Sequence, residues 1–259
     1  MIEAAEHTWF MVGRQARNLF REPIWIVLML VQPMVWLLLY GQLFKRLPTG
    51  LPGFGTSSYI EFLAPGIVVM NAFFGGTWSG MAMITDLDRG VLERFLATPV
   101  SRVSLVLSQL VRAGITAAIQ TLIILLVALA LGARVHAGAL GWIVVLLASA
   151  LVAATFAGIS HGIALLVRRE ATMIAMANFI GLPLFFLSTA LISRAAIPGW
   201  MRWAAKFNPL EWGVSSARHV TLAGTDWGVV AANLGLLAAA LCATTLFATW
   251  TFRAYQRTL

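Results

Sequence analysis

Six long stretches of the chain contain no Asp, Glu, Lys or Arg, and short polar segments separate them. The stretches are 24–44, 62–85, 113–133, 137–167, 171–193 and 227–252. The shortest stretches have 21 residues, and a helix of that size is about 31 Å long, enough to cross the roughly 30 Å hydrocarbon core of a bilayer. The pattern therefore predicts an all-α integral membrane fold with six transmembrane helices.

The composition supports this prediction and excludes a soluble globular protein. Of the 259 residues, 60% are hydrophobic and 11% are charged, whereas about a quarter of the residues of an average soluble domain are charged. The longest polar piece, 194–226, is smaller than the smallest ordinary soluble domain. The chain is therefore predicted to be a single transmembrane domain over 1–259.

The basic residues predict how the chain is oriented. A net charge of +8 would suggest a nucleic-acid partner in a soluble protein, but here the bases flank apolar stretches, so no nucleic acid is expected. Eleven Lys and Arg fall on the side of the two termini and seven on the other side. The positive-inside rule therefore predicts a multi-pass protein of the cell (cytoplasmic or inner) membrane with both termini in the cytoplasm.

Residues 1–22 have the pattern of an amphipathic interfacial helix. At helical spacing Trp9 falls on an apolar face, and Arg14, Arg17 and Arg21 fall on the opposite face. Such a helix is expected to lie along the cytoplasmic headgroups of the membrane lipid. The alternative is a solvated tail.

The segment 86–102 is the most charged part of the chain, and it also contains apolar residues at helical spacing. The pattern predicts a short amphipathic helix at the cytoplasmic boundary, ended by proline, whose apolar ridge a partner or lipid must cover. The alternative is a solvated connector. The candidate residues for contact with a partner, called the candidate coupling residues below, are Arg89, Gly90, Leu92, Glu93, Arg94, Phe95, Leu96 and Pro99.

Two segments resemble a known family. Residues 88–101, DRGVLERFLATPVS, are similar to the cytoplasmic loop of type 2 ABC exporter permeases, the drug-resistance and lipo-oligosaccharide export group, where ERGTLERLL followed by TP is typical. Residues 197–218 resemble the external segment of the same family, in which Pro-x-Trp leads to Asn-Pro-Leu and a later Arg. Asp88 and Val91 replace the commoner Glu and Thr and keep the helical pattern. The length and the six stretches also fit, so the resemblance covers the whole chain.

The resemblance implies a transmembrane subunit of an ATP-driven exporter that moves a drug, lipid or lipid-linked glycan outward. Two permease copies, identical or related, would pair with two copies of an ABC nucleotide-binding subunit. The segment 86–99 would be the coupling helix seated in that ATPase, which the N-terminal helix would also contact. The chain has no G-x-x-x-x-G-K-[ST] phosphate loop. It is therefore not expected to be an enzyme or to hold a cofactor or metal, and ATP and Mg are expected on the partner.

The external segment 194–226 is predicted to contain two short helices. In the second, Asn208, Pro209 and Glu211 would occupy the N-cap, N1 and N3 positions. The resemblance implies a re-entrant pair that closes the pathway on the outside, and the alternative is that the helices only pack against the spans. The candidate external-gate residues are Pro198, Trp200, Trp203, Asn208, Pro209, Glu211 and Arg218.

The apolar stretches themselves bear on the class of transport. The six stretches contain no acidic residue, which argues against an ion pump and favours an apolar or amphipathic substrate.

Residues 158–162 match G-x-S-x-G, so an intramembrane hydrolase or lipid-modifying enzyme using Ser160 and His161 is an alternative, although that motif requires a strand–turn–helix context. As G-x-x-x-G, the same residues and 76–80 favour close helix packing. A passive channel or assembly subunit is a third alternative, disfavoured by the lack of a charged selectivity ring.

Overall fold

The computed structural model describes residues 23–43, 59–90, 102–222 and 224–256. Within these residues all regular structure is α-helical, as predicted. The helices are α1 Pro23–Leu43, α2 Tyr59–Trp78, α3 Gly80–Asp88, α4 Arg102–Ala130, α5 Gly138–Val167, α6 Glu170–Phe186, α7 Gly199–Ala205, α8 Pro209–Thr221 and α9 Trp227–Gln256. The predicted interfacial helix 1–22 lies outside the described residues.

Within the part of the chain that the structure describes, four helical units are long and apolar enough to cross a membrane by length and composition. They are Tyr59–Asp88 (α2 with α3), Val103–Ala130, Gly138–Val167 and Trp227–Gln256. Helix α1 coincides with the first apolar stretch, and α6, with 17 residues, is shorter than α1 and these four units. This is the architecture expected of an integral membrane protein.

The long helices run between two ends of a bundle. The turn 131–137 joins α4 to α5 at one end, here called the upper end, and residues 168–169 join α5 to α6 at the lower end. Helix α5 is central, because it packs against α2, α3, α4, α8 and α9. At mid-length Phe73 of α2 meets Phe156 of α5 edge-to-face, with 4.5 Å between the ring centroids. Both rings are buried.

Glycines allow the helices around α5 to approach closely. A Cβ atom at Gly76 of α2 would clash with the carbonyl oxygen of Ala153, and one at Gly162 of α5 would clash with the Phe247 ring of α9. Neither position has space for a side chain, so the packing role predicted for the G-x-x-x-G segments is confirmed.

The fifth apolar stretch, 171–193, is helical only as far as Phe186. Bonds from α8 explain this difference from the predicted length. The carbonyl of Leu184 accepts a bond from Asn208 Nδ2 (2.7 Å), and the N–H of Thr189 donates to Glu211 Oε2 (2.7 Å). These partners replace those that the next helical turn would supply. The chain therefore continues from Phe186 to α7 without regular structure.

Candidate functional site

Helices α7 and α8 form a helix–turn–helix unit, here called the hairpin, which turns at Asn208; α8 packs within the bundle, whereas α7 is largely exposed. The turn lies beside Leu184, which is 14 residues along α6 from the lower end, or about 21 Å. Helix α5, which spans the bundle, has 30 residues and is about 45 Å long. The tip of the hairpin therefore lies near the middle of the bundle.

Contacts along α8 agree with this position. Gly213 presses against the centre of the bundle, where an added Cβ would lie 2.6 Å from Val152 Cγ2 and 2.8 Å from Val69 Cγ1. The last residues of α8 lie at the upper end, because the Ala137 N–H donates to the Val220 carbonyl (3.1 Å). Helix α8 therefore runs from the middle of the bundle to its upper end.

Asn208 determines both where α8 begins and what it touches. Its Oδ1 accepts a bond from the Leu210 N–H (3.0 Å), and Pro209 occupies the first turn, as the sequence predicted. Its Nδ2 donates to the Leu184 carbonyl (2.7 Å), and the side chain is buried. One amide thus caps α8 and attaches it to α6.

A buried polar network, here called the Thr189 network, holds α8 to its neighbours. The Thr189 hydroxyl donates to the Glu211 carboxylate (2.9 Å) and accepts from Arg218 Nη1 (2.9 Å). Arg218 Nη2 donates to the carbonyl of Ala190 (2.8 Å). The guanidinium carbon lies 4.0 Å from the ring centroid of Phe62 in α2, which is a cation–π geometry. The network therefore joins α8, the segment after α6, and α2.

The Thr189 network places opposite charges in the interior of the protein. Glu211 is 6% exposed, Arg218 is partly buried, and Arg218 Nε has no hydrogen-bond partner among the described residues. Removing charges from water is costly, and hydrogen bonds and pairing offset the cost only while each partner is present. The sequence indicated Glu211 and Arg218 but neither Thr189 nor Phe62, which are distant from them along the chain.

The first helix of the hairpin carries the remaining candidate gate residues. Pro198 is the N-cap residue of α7, just before its first turn. Trp200 and Trp203 are about two-thirds exposed, at 66% and 65%, and so is Phe207, which follows α7, at 66%. An indole or phenyl ring this exposed is suited to contact lipid or another protein surface.

Comparison with known proteins then decides the family. Residues 6–222 match the sequence profile of the family described as ABC-2 type transporter. The chain belongs to the ABC-2 type transporter family. This confirms the resemblance seen in the loop and the external segment, and the family implies an ABC ATPase as partner.

Individual relatives of this ABC-2 chain are transport permeases by name. It is 29% identical to the transport permease ycf38 of Porphyra purpurea over 218 residues, 84% of this chain and 74% of that protein. The identity to ycf38 of Cyanophora paradoxa is 30% over 216 residues, 83% of this chain and 74% of that one. The chain is 23% identical to the daunorubicin resistance ABC transporter permease protein DrrB1 of Streptomyces coeruleorubidus over 238 residues, which are 90% of this chain and 80% of that protein. The chain is a multi-pass membrane protein and a transmembrane subunit of a transporter.

Two of the candidate coupling residues of this ABC-2 chain are described. Helix α3 ends at Asp88, and the N–H groups of Arg89 and Gly90 bond to the carbonyls of Thr85 (3.1 Å) and Leu87 (3.0 Å). Gly90 has a φ of 63°, which glycine adopts without steric cost and which ends the helix. The candidates Leu92, Glu93, Arg94, Phe95, Leu96 and Pro99, and Trp9, Arg14, Arg17 and Arg21 of the interfacial helix, lie outside the described residues.

Ser160, the candidate nucleophile of the hydrolase alternative, lies within α5. Its hydroxyl donates to the Thr77 carbonyl (2.5 Å) and accepts from the Gly80 N–H (2.9 Å). The segment is helical and not a strand–turn–helix, and the hydroxyl is engaged by backbone groups. The geometry of Ser160 is therefore that of a structural residue in an ABC-2 permease.

Proposed function

We propose that this chain is the transmembrane subunit of an ATP-driven exporter that moves a hydrophobic or amphipathic substrate outward across the cell membrane. Membership of the ABC-2 type transporter family supports this. The six apolar stretches contain no acidic residue, which favours energy supplied from outside the bilayer. The candidate substrates are drugs, lipids and lipid-linked glycans, and the daunorubicin resistance named for the Streptomyces relative supports the first class.

The observation that carries the proposal is α8 of the hairpin, which runs from the upper end of the bundle to a turn near its middle. With both termini in the cytoplasm, the upper end faces outward, and the hairpin is an external, re-entrant element. Non-helical backbone within a membrane is tolerated only where protein or a water-filled cavity surrounds it. The hairpin would close the outer part of the pathway, with Asn208 and the Thr189 network holding it in place.

The partner completes the mechanism. Two ABC nucleotide-binding subunits would bind ATP and Mg, and a second permease copy, identical or related, would complete the membrane part. Segment 86–99 would dock into the ATPase, and residues 1–22 would lie on membrane lipid beside it. ATP-driven movement of the ATPase would then reach the bundle through α3, which leads directly into that segment.

The first experiment is purification of the tagged chain from its native membrane, followed by mass spectrometry of the proteins and small molecules that it retains. We expect an ABC ATPase among the proteins, and ATP hydrolysis only while that subunit is present. A chain freed of other proteins that still binds or hydrolyses ATP would contradict the proposal.

Replacing Phe95 by Ala tests the coupling segment. Loss of a buried aromatic anchor commonly costs about 2 kcal/mol, or roughly a 30-fold loss of association. Phe95→Ala should therefore leave membrane insertion intact and reduce recovery of the ATPase. Glu93→Arg should do the same in a salt-sensitive way.

The matched control is Arg134→Ala, because Arg134 is exposed in the turn at the upper end. It should leave ATPase recovery unchanged. Normal ATPase recovery with both Phe95→Ala and Glu93→Arg would show that the segment is a solvated connector.

A further inference from the structure

The helical unit that leads to the coupling segment is interrupted in its lower half, between α2 and α3. The N–H of Ser79 bonds to the Gly76 carbonyl (3.1 Å), and the N–H of Ala82 bonds to the Ser79 carbonyl (3.2 Å). Both bonds span three residues, whereas bonds of an α-helix span four. A short 3₁₀ stretch within a longer helix often marks a hinge. This interruption, residues 77–80, is called the α2–α3 break below.

Ser160 of α5 satisfies two backbone groups of the α2–α3 break. Its hydroxyl donates to the Thr77 carbonyl (2.5 Å) and accepts from the Gly80 N–H (2.9 Å), and the side chain is 2% exposed. In an unbroken helix the Gly80 N–H would bond to the Gly76 carbonyl. That carbonyl instead accepts the N–H of Ser79 and the Ser79 hydroxyl (2.6 Å). A side chain from another helix therefore replaces the bond that the break removes.

The contact between α3 and α5 at this point is direct. A Cβ atom on Gly80 would lie 2.6 Å from the Ser160 carbonyl oxygen and 2.9 Å from Met173 Cε of α6. Helix α3 packs against α5 and α6 beyond the break. The position of α3 relative to α2 therefore depends on the geometry of the break, and the Ser160 hydroxyl bonds to that break.

We propose that Ser160 is a positioning residue of the transport cycle, whose hydroxyl holds the α2–α3 break in one geometry and so fixes where α3 delivers the coupling segment. If the two hydrogen bonds are released, the Gly80 N–H can return to the Gly76 carbonyl and the unit straightens. The lower end of α3 then moves relative to α5 and α6. The two hydrogen bonds of the Ser160 hydroxyl to the α2–α3 break are called the clamp below. The clamp rests on the contacts described, and its part in coupling rests on the proposed function.

The test measures the position of α3 in the full chain by itself, in lipid nanodiscs. Spin labels are placed on cysteines at Asp88 and Glu170, which are exposed on α3 and α6, in a Cys242→Ala background that has no other cysteine. Double electron–electron resonance then gives the distribution of distances between the labels. We expect Ser160→Ala to populate a second label-to-label distance. The ratio of its population to that of the parent distance should rise about tenfold, since two buried backbone groups lose their partner.

Ser149→Ala is the matched control. Ser149 is also in α5 and fully buried, and its hydroxyl has no hydrogen-bond partner among the described residues. This variant should keep the distances of the parent chain. Labels at Leu126 and Ile143, which are exposed on α4 and α5, form a reference pair that does not span the break and should be unchanged in every variant.

A second variant approaches the clamp from the other side. Gly80→Ala places a methyl group against Ser160 and should produce the same second distance with the hydroxyl still present. The proposal is overturned if Ser160→Ala keeps the distance distribution of the parent chain. It is also overturned if Ser160→Ala changes the reference pair, because Ser160 would then support the fold in general.

The coupling role is tested separately in the complex with the co-purified ATPase. ATP should change the distance between labels at 88 and 170 in the parent chain, and Ser160→Ala should abolish that change while ATP hydrolysis continues. An ATP-induced change that persists in Ser160→Ala would overturn the coupling role. If no ATPase co-purifies, the proposed function fails, whereas the measurement on the chain alone still decides whether Ser160 clamps the break.

Discussion

At the scale of single residues, one hydroxyl connects the two charged side chains of the hairpin site. Thr189 lies in the apolar stretch 171–193, where a threonine ordinarily bonds to its own helix. Here it bonds to Glu211 and Arg218, which lie 22 and 29 residues further along the chain. A single methyl-for-hydroxyl change therefore removes the hydroxyl's bonds to both charged side chains, while the Thr189 N–H still bonds to Glu211 and the Ala190 carbonyl still bonds to Arg218.

We predict that Thr189→Val lowers the stability of the chain. Valine has nearly the same shape but leaves the Glu211 carboxylate and Arg218 without their shared partner, at a cost of about 1–3 kcal/mol. The unfolding temperature in detergent should fall. Thr245→Val is the control, since the Thr245 hydroxyl bonds to the Leu241 carbonyl of its own helix (2.7 Å). Equal unfolding temperatures for the two variants would contradict the role of Thr189.

The sequence could predict the local part of this site and not the rest. Asn208, Pro209 and Glu211 formed a recognisable capping pattern because they act within one helical turn. Thr189 and Phe62 carried no local signal, because their partners come from other helices. The family resemblance indicated Arg218, but the bond to Thr189 and the ring of Phe62 emerge only from the packing of α8.

At the scale of elements, helix positions followed from the apolar stretches, whereas helix interruptions did not. The stretch 62–85 gave no indication of the α2–α3 break, and 171–193 gave none of the end of α6. Both interruptions are stabilised by hydrogen bonds from other helices, through Ser160 in one case and Asn208 and Glu211 in the other. Hydropathy measures the apolar length of a segment and contains no information about such partners.

Two adjacent glycines of α2 provide a test of the packing around α5. Gly76→Ala would force a methyl group onto the Ala153 carbonyl, and overpacking of this kind costs about 1–3 kcal/mol. Gly75 is exposed, and an added Cβ would meet no atom of another described helix within 4 Å, so Gly75→Ala should keep or raise stability by up to about 1 kcal/mol through helix propensity. Thermal unfolding of both variants checks the difference. A destabilisation of equal size in both would exclude close packing as the cause.

At the scale of the whole molecule, the sequence predicted the kind of protein and the family, and the structure adds which helix is central. Helix α5 is apolar on every side and rich in Ala and Gly, and its middle, residues 152–158, is buried throughout. That central position was not predicted, because every stretch is apolar and any of them could face lipid. The orientation in the membrane remains a prediction from the distribution of Lys and Arg.

Cysteine labelling tests this orientation. Arg134 and Glu170 are exposed in or beside turns at the upper and lower ends. In a Cys242→Ala background, an impermeant thiol reagent added outside intact cells should modify Arg134→Cys and leave Glu170→Cys unmodified. Opening the cells should make Glu170→Cys reactive. Modification of both variants from the outside would reverse the predicted topology.

The end of α6 also has a consequence for the order in which the protein is made. The groups that stop this helix belong to Asn208 and Glu211, which the ribosome adds 24 residues after Leu184 and 22 residues after Thr189. Until they emerge, the stretch 171–193 is still long and apolar enough to cross the bilayer as a helix. Once the hairpin has been made, Asn208 and Glu211 can bond to the Leu184 carbonyl and the Thr189 N–H, and α6 ends at Phe186. The span suggested by hydropathy therefore needs no partner, whereas the shorter α6 depends on residues that are made after it.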